Sequence, residues 1–289
     1  MKNILVLTDF STCASYAMDM GIALAEFFGA TLHLFTCIEN SKLDVQTTCP
    51  MMDNPATNRA YFENTNVLFD KWKNEAIIRQ IKVKTICCPG NLISSVQEYV
   101  SIHDIDFVVM GSHGASGWNT FSMGSNTQKI IRAIHIPIFI LKKPVKEYAF
   151  KNVVFASTFA VEEQKSYFHF LDFIEKFEPE IIHLLGINIG IWKTSIIDRM
   201  EKSMDEFAKL CSFAKSKKHI YRDDFVEAGI RHFAENIEAD LVVISNHHRH
   251  STQRIFTGST VEALVQNCDL PILSIDFPKE KISNFMEIK

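Results

Sequence analysis

The chain has 289 residues, 47% hydrophobic and 22% charged, with 30 basic against 34 acidic side chains and a formal net charge of −4. At about 150 residues per domain, that length suggests two ordinary domains, each able to bury its own core. The balance excludes disorder, which needs low hydrophobicity with high net charge, and gives no positive field for nucleic acid or an anionic membrane surface.

In chain order, short apolar runs alternate with longer periodic ones, the pattern of βα units around a parallel sheet. Strands are predicted over Asn3 to Leu7, Thr31 to Ile38, Lys82 to Cys87, Phe107 to Met110 and Ile136 to Leu141. Between them, Ser11 is a predicted N-cap for a helix carrying Ala14, Met18, Ile22, Ala25 and Phe28 on one face and stopping at Gly29. Further helices are predicted over Arg59 to Gln80, Leu92 to Ile102 and Ser125 to Ala133. Strands return at Asn152 to Ala156, Ile181 to Ile189, His219 to Arg222, Leu241 to Ser245 and Pro271 to Ile275.

The second series copies the first. Asp106 to Leu141 aligns without a gap on Asp240 to Ile275, with identity at Asp106/Asp240, Val108/Val242, Val109/Val243, His113/His247, Gly124/Gly258, Ser125/Ser259 and Pro137/Pro271. Lys2-Asn3-Ile4-Leu5-Val6 likewise matches Lys151-Asn152-Val153-Val154-Phe155, and His33-Leu34 matches His183-Leu184. A duplicated domain follows, with domains over 1–145 and 146–278 and a tail over 279–289. The first copy has 12 basic and 12 acidic residues and the remainder 18 and 22, so the net negative charge belongs to the second half.

No apolar run approaches the roughly 20 residues of a membrane span, and Thr8 and Asp9 interrupt the first strand too early for a signal peptide, so the default location is cytoplasmic. The seven cysteines are odd in number and unpaired in spacing, which reads as reduced thiols. Ser41 to Asn58 is a polar stretch too long for a plain connection; it reads as disordered, with a lid as the alternative. His247-His248-Arg249-His250 reads as a polar loop rather than a metal site, Phe168, Phe170, Phe173 and Phe177 as packing residues, and Lys215 to Lys218 as a solvated helix end.

In an open α/β sheet, ligands bind beyond the carboxyl ends of the strands where the winding reverses. The first strand ends there in Thr8-Asp9-Phe10-Ser11. The fourth ends in Met110 and then Gly111-Ser112-His113-Gly114, followed by Gly117 and Gly124-Ser125-Asn126-Thr127 at a helix start; four of the eleven glycines fall in this stretch. Glycine lets a backbone approach a ligand closely, and the free N–H groups of a helix start favour an anion, with Ser125 and Thr127 as hydroxyl donors. Neither a P-loop nor a dinucleotide fingerprint is present, and the loop lacks the lysine and general base of fast phosphoryl transfer.

The spacing Gly111-x2-Gly114-x9-Gly124-Ser125, between an apolar strand and a helix ending before His135-Ile136-Pro137, resembles that of the universal stress protein family, and both halves share the resemblance. It implies two tandem five-stranded parallel-sheet domains, open and doubly wound, of the adenine nucleotide alpha hydrolase-like kind, with strand order 3-2-1-4-5. It also implies bound ATP, with Mg2+ as its accompanying cation, and self-association through the last strands, as an intrachain pseudo-dimer or a homodimer. By the same resemblance Asp9 would meet the adenosine part and Cys37 the adenine pocket, Met110, Gly111, His113 and Gly114 the ribose and phosphates, and Gly124, Ser125, Asn126 and Thr127 the phosphate chain, with Thr8 and Phe10 as further ATP-binding residues. In the second half Thr158 replaces Asp9, Ser245 replaces Gly111 and His248 replaces Gly114, so that copy is expected to bind weakly or not at all. The implied function is an ATP-binding stress-response module that is non-enzymatic or a very slow ATPase. The alternative is a nucleotide-independent interaction or scaffold protein of the same fold.

Overall fold

A computed structural model describes residues 1–38, 55–113, 123–145, 148–190, 194–245 and 260–275. They form two compact units, the first holding β1 to β4 with α1 to α4 and the second holding β5 to β10 with α5 to α8.

The first unit runs β1 (Asn3–Leu7), α1 (Thr12–Phe28), β2 (Thr31–Ile38), α2 (Pro55–Ile78), β3 (Val83–Pro89), α3 (Leu92–Ile102), β4 (Phe107–Gly111) and α4 (Ser125–Ala133). Its strands are parallel in the order β3-β2-β1-β4. A parallel sheet is buried on both faces, so its central strands must be apolar throughout rather than alternating; Ile4, Leu5 and Val6 of β1 and Val108 and Val109 of β4 are fully buried. Helix α1 covers one face, approaching so closely at Gly21 that an added Cβ would lie 2.4 Å from Val6 Cγ2. Helix α3 covers the other, where the Tyr99 hydroxyl meets Nδ1 of buried His33 at 2.8 Å. Ser11 caps α1 by accepting from the Ala14 amide at 3.2 Å, and Gly29 ends it in the left-handed region at φ 62°. Helix α2 begins at Pro55, earlier than the apolar period from Arg59 indicates, because proline suits the first helical position.

The second unit runs β5 (Ile138–Leu141), β6 (Asn152–Ala156), α5 (Gln164–Ile174), β7 (Ile181–Ile189), α6 (Thr194–Leu210), β8 (Lys215–Asp223), α7 (Val226–Asn236), β9 (Leu241–Ser245), α8 (Thr260–Asn267) and β10 (Ile272–Ile275). Strands β8-β7-β6-β9-β10 are all parallel, which is the 3-2-1-4-5 order. Strand β5, the fifth strand of the first sequence repeat, pairs antiparallel with β10 in this unit, Phe139 opposite Leu273. The fold is therefore the expected α/β architecture. Lys215 to Lys218 are strand rather than helix end: they pair along β7 from Ile181 to Leu184. Lysine is a poor strand former, but ladder pairing overrides propensity, and lysine is tolerated on a strand with a single pairing partner. Phe170, Phe173 and Phe177 are buried as packing residues, whereas Phe168 is 47% exposed.

Repeat identity has physical reasons. Asp106 Oδ2 accepts the backbone amides of Lys2 and Asn3 at 2.6 and 3.0 Å, and Asp240 Oδ2 accepts those of Lys151 and Asn152 at 2.9 and 2.8 Å. Each carboxylate thus fastens the start of its unit's first strand. The matched histidines, His33 and His183, are buried, and both pKa values fall to about 4. Burial is the main cause for each, with Lys84 and His103 adding like charge at His33, and His219 and Lys217 at His183.

Candidate functional site

The chain leaves β1 toward β2 and β3, then crosses to β4 on the other side, so the winding reverses between β1 and β4. Leu7 and Met110 are register partners at the two carboxyl ends. A cleft of about 260 Å³ opens there, near the lower end of the usual range for small-molecule sites. From β1 and its turn it is lined by Leu7, Thr8 and Asp9, from β2 by Phe35 and Cys37, from β4 by Met110, Gly111 and His113, and from α4 by Gly124 to Thr127.

The β1 turn is shaped by its own side chains. Thr8 Oγ1 accepts the Phe10 amide at 2.9 Å, and Asp9 Oδ1 accepts the Ser11 amide at 3.1 Å. These two bonds hold Phe10 in the left-handed region, φ 61°, an uncommon conformation for an aromatic residue. Phe10 does not line the cleft; its ring stacks on Trp72 and meets Phe69 edge-on, both at 5.2 Å between centroids. Cys37 donates its thiol to the Gly90 carbonyl at 3.4 Å, tying the end of β2 to the β3–α3 turn.

At the end of β4, Gly111 is required by packing. A Cβ there would lie 2.8 Å from both C and Cβ of Cys13 and 2.9 Å from its carbonyl oxygen, so the close neighbour is the backbone of α1. His113 Nδ1 shares a 2.6 Å hydrogen bond with the buried Ser112 hydroxyl. Gly114 lies outside the described residues.

Helix α4 points its N-terminus at the cleft. Helices α1 and α3 satisfy their first-turn amides with the side chains of Ser11 and Asn91, but the N-cap of α4 is Gly124, which offers no side-chain bond, and its first turn carries no acid. Gly124 itself is extended, φ −62° and ψ 140°, and its amide donates to the Ser112 carbonyl at 3.0 Å. Thr127 was expected to offer a hydroxyl donor. Its one hydroxyl proton is instead directed at the carbonyls of Gly111 and Ser112, each 3.1 Å away, so the side chain fastens the β4 loop.

The lining also includes apolar Ala14, Leu92 and Ile130, and one cation that motif spacing overlooks, Lys129. It stands four residues after Ser125 and so shares its helix face, a signal readable from the sequence. Asp9 is the one carboxylate among the described lining residues.

The repeat supplies an internal comparison. In the second unit Ser157 and Phe159 repeat the turn, with the Phe159 amide donating to the Ser157 hydroxyl at 2.9 Å and φ 56°. At the place of Ala14 stands Glu163, 1% exposed, whose Oε2 accepts from the Ser157 hydroxyl and from the Ala160 amide at 3.3 Å. A buried carboxylate thus stands where the first unit has the methyl of the cleft-lining Ala14. Thr127 and Lys129 have Val261 and Ala263 as counterparts. Gly258, Ser259 and the histidine run at 247–250 lie outside the described residues, as does most of Ser41 to Asn58. Among the described residues no helix is long and apolar enough to cross a membrane, and the cysteines are thiols rather than disulfide halves.

Together these features define a duplicated α/β protein with a cleft at the switch point of a parallel sheet, floored by an uncapped helix N-terminus. Residues 1–142 and 207–275 match the model of the universal stress protein family, and the chain belongs to that family. It is similar to Universal stress protein MJ0531 of Methanocaldococcus jannaschii, 25% identical over 154 residues, covering 50% of this chain and 85% of that one. Among solved structures, a universal stress protein from Archaeoglobus fulgidus superposes with a TM-score of 0.74 at 16% identity, covering 96% of this chain and 98% of its own. A putative universal stress protein from Pseudomonas aeruginosa gives 0.66 at 15% identity, covering 98% and 95%. Both likenesses concern the fold.

Proposed function

We propose that the first unit binds an adenine nucleotide, ATP, in the β1/β4 cleft, and that the second unit carries no nucleotide site. The observation that supports this most is the α4 N-terminus, which presents first-turn amides without a capping side chain to a cleft that Asp9, Cys37, Met110 and Gly111 also line. Uncapped amides and the positive end of the helix dipole suit a phosphate, while Phe35, Cys37 and Met110 give the opposite part of the cleft the apolar character that suits a base.

The module acts by binding rather than turnover. A fast hydrolase needs a group to position or deprotonate the attacking water and a carboxylate to hold Mg2+ at the phosphates. Asp9, the one carboxylate among the described lining residues, belongs to the β1 turn, His113 is engaged through Nδ1 with the Ser112 hydroxyl, and Lys129 and the Ser125 hydroxyl stabilise charge without acting as bases. Any Mg2+ would therefore arrive on the phosphates of the nucleotide. Nucleotide occupancy then acts by favouring whichever conformation or assembly of the chain binds it more tightly. In this reading the chain is cytoplasmic, and pairing of β5 with β10 supports self-association through last strands being met within one chain.

Acid extraction of the purified chain, followed by chromatography with absorbance detection, tests the proposal. Adenine nucleotide in the extract, or ATP binding to the stripped chain, is the expected result. A chain that carries none and binds none is the scaffold protein of the alternative reading.

A further inference from the structure

We infer that Lys129 makes the cleft selective for nucleotides with a free di- or triphosphate chain over those with a single phosphate. The inference rests on the reading of the cleft as an adenine-nucleotide site and goes further by naming what the cleft measures, the length of the phosphate chain.

Lys129 is the fifth residue of α4, one helical turn after Ser125 and about 6 Å along the axis at 1.5 Å per residue. Helical side chains lean back toward the N-terminus, so an exposed lysine at this position extends its stem over the first turn, toward the amides of Ser125, Asn126 and Thr127. It lines the cleft there and makes no ion pair among the described residues. With the Thr127 hydroxyl turned to the carbonyls of Gly111 and Ser112, the donors that the described residues leave around the α4 start are backbone amides, the Ser125 hydroxyl, the Asn126 side-chain amide and, as the one cationic group of α4 among the lining residues, the Lys129 ammonium.

These donors divide by position. The amides of one helical turn converge on a single anionic group, which any nucleotide phosphate supplies. The ammonium belongs to an exposed residue one turn later, so it serves charge that extends beyond the first phosphate. A lysine there acts as a point charge on a flexible stem and tolerates a chain of variable geometry. AMP and cyclic AMP have nothing to place against it. In the second unit the same position is Ala263, and among the described lining residues of the first unit there is no other lysine or arginine.

The test is titration of ATP, ADP, AMP and cyclic AMP into the stripped full-length chain, wild type against Lys129→Met and Lys129→Arg, by calorimetry in a Mg2+-free buffer. One charge-assisted hydrogen bond at an exposed rim corresponds to about tenfold, or about 1.4 kcal/mol. Lys129→Met is expected to weaken ATP and ADP about tenfold and AMP and cyclic AMP less than twofold, while Lys129→Arg keeps the preference. The residue is exposed, so melting temperatures are expected to match the wild type. Equal weakening of all four ligands, or none of any, overturns the inference while leaving the nucleotide site standing. A wild-type chain that binds none of the four overturns both.

Discussion

Substitution of Gly111 by alanine separates two explanations of a glycine that a ligand motif also claims. The added methyl would meet Cys13 C and Cβ at 2.8 Å and its carbonyl oxygen at 2.9 Å. Carbon atoms pack best at about 3.5–4.0 Å, so α1 and β4 must separate by several tenths of an ångström or more, and the neighbours are backbone that cannot rotate away. Forcing one methyl into a packed interior costs about 1–3 kcal/mol. At roughly 4 °C per kcal/mol for a unit of this size, the first unit should melt about 4–12 °C lower with no nucleotide present. Gly124→Ala is the control, because Gly124 has an extended backbone that any residue adopts. Its melting temperature should move far less. The assay is thermal unfolding by circular dichroism of the stripped chain. If Gly111→Ala melts with the wild type and yet loses ATP, the glycine serves ligand approach and the packing account is wrong.

In the second unit, Glu163→Ala removes a buried carboxylate with two donors and should destabilise that unit by about 1–3 kcal/mol; calorimetric binding should show no second ATP site, since Ser245, Val261 and Ala263 remain. Asp106→Ala and Asp240→Ala each release two strand-start amides and should lower stability by about 1–2 kcal/mol in urea melts, without altering ATP affinity in either case. His33 and His183 titrate near 4 when folded, against about 6.5 when unfolded, so the unfolded chain takes up protons first as pH falls. Their contribution is complete above pH 6.5 and lost progressively toward pH 4, up to about 3 kcal/mol for each. Urea midpoints measured across that window should fall with pH, and His33→Gln should flatten the part due to the first unit.

Much of this was legible in the sequence because parallel strands buried on both faces announce themselves as continuous apolar runs. Asn3 to Leu7 and Leu241 to Ser245 appear as strands with the bounds that their apolar residues indicate. Of strand β8 only the part over His219 to Arg222 was legible; Lys215 to Lys218 were not, since three of those four residues are lysines and only pairing with β7 makes them a strand. The cleft was legible through strand ends and glycine spacing, which brought Thr8, Asp9, Met110 and Gly111 to one place, while Cys37 came from the family resemblance. Local sequence could not show that Phe10 turns to Trp72, a residue more than sixty positions away, nor that Gly111 answers to the α1 backbone. The use of the Thr127 hydroxyl within the loop is likewise a matter of three-dimensional proximity. Lys129 was missed, although its helical spacing of four from Ser125 was there to place it on that face.

The central claim is one nucleotide site in a chain built from two copies of one domain. Calorimetric titration of ATP into the stripped full-length chain measures it directly. A stoichiometry near one per chain, abolished by Gly124→Val, is the predicted result. A value near two would contradict the asymmetry between the copies, and no heat at any concentration would contradict the site itself.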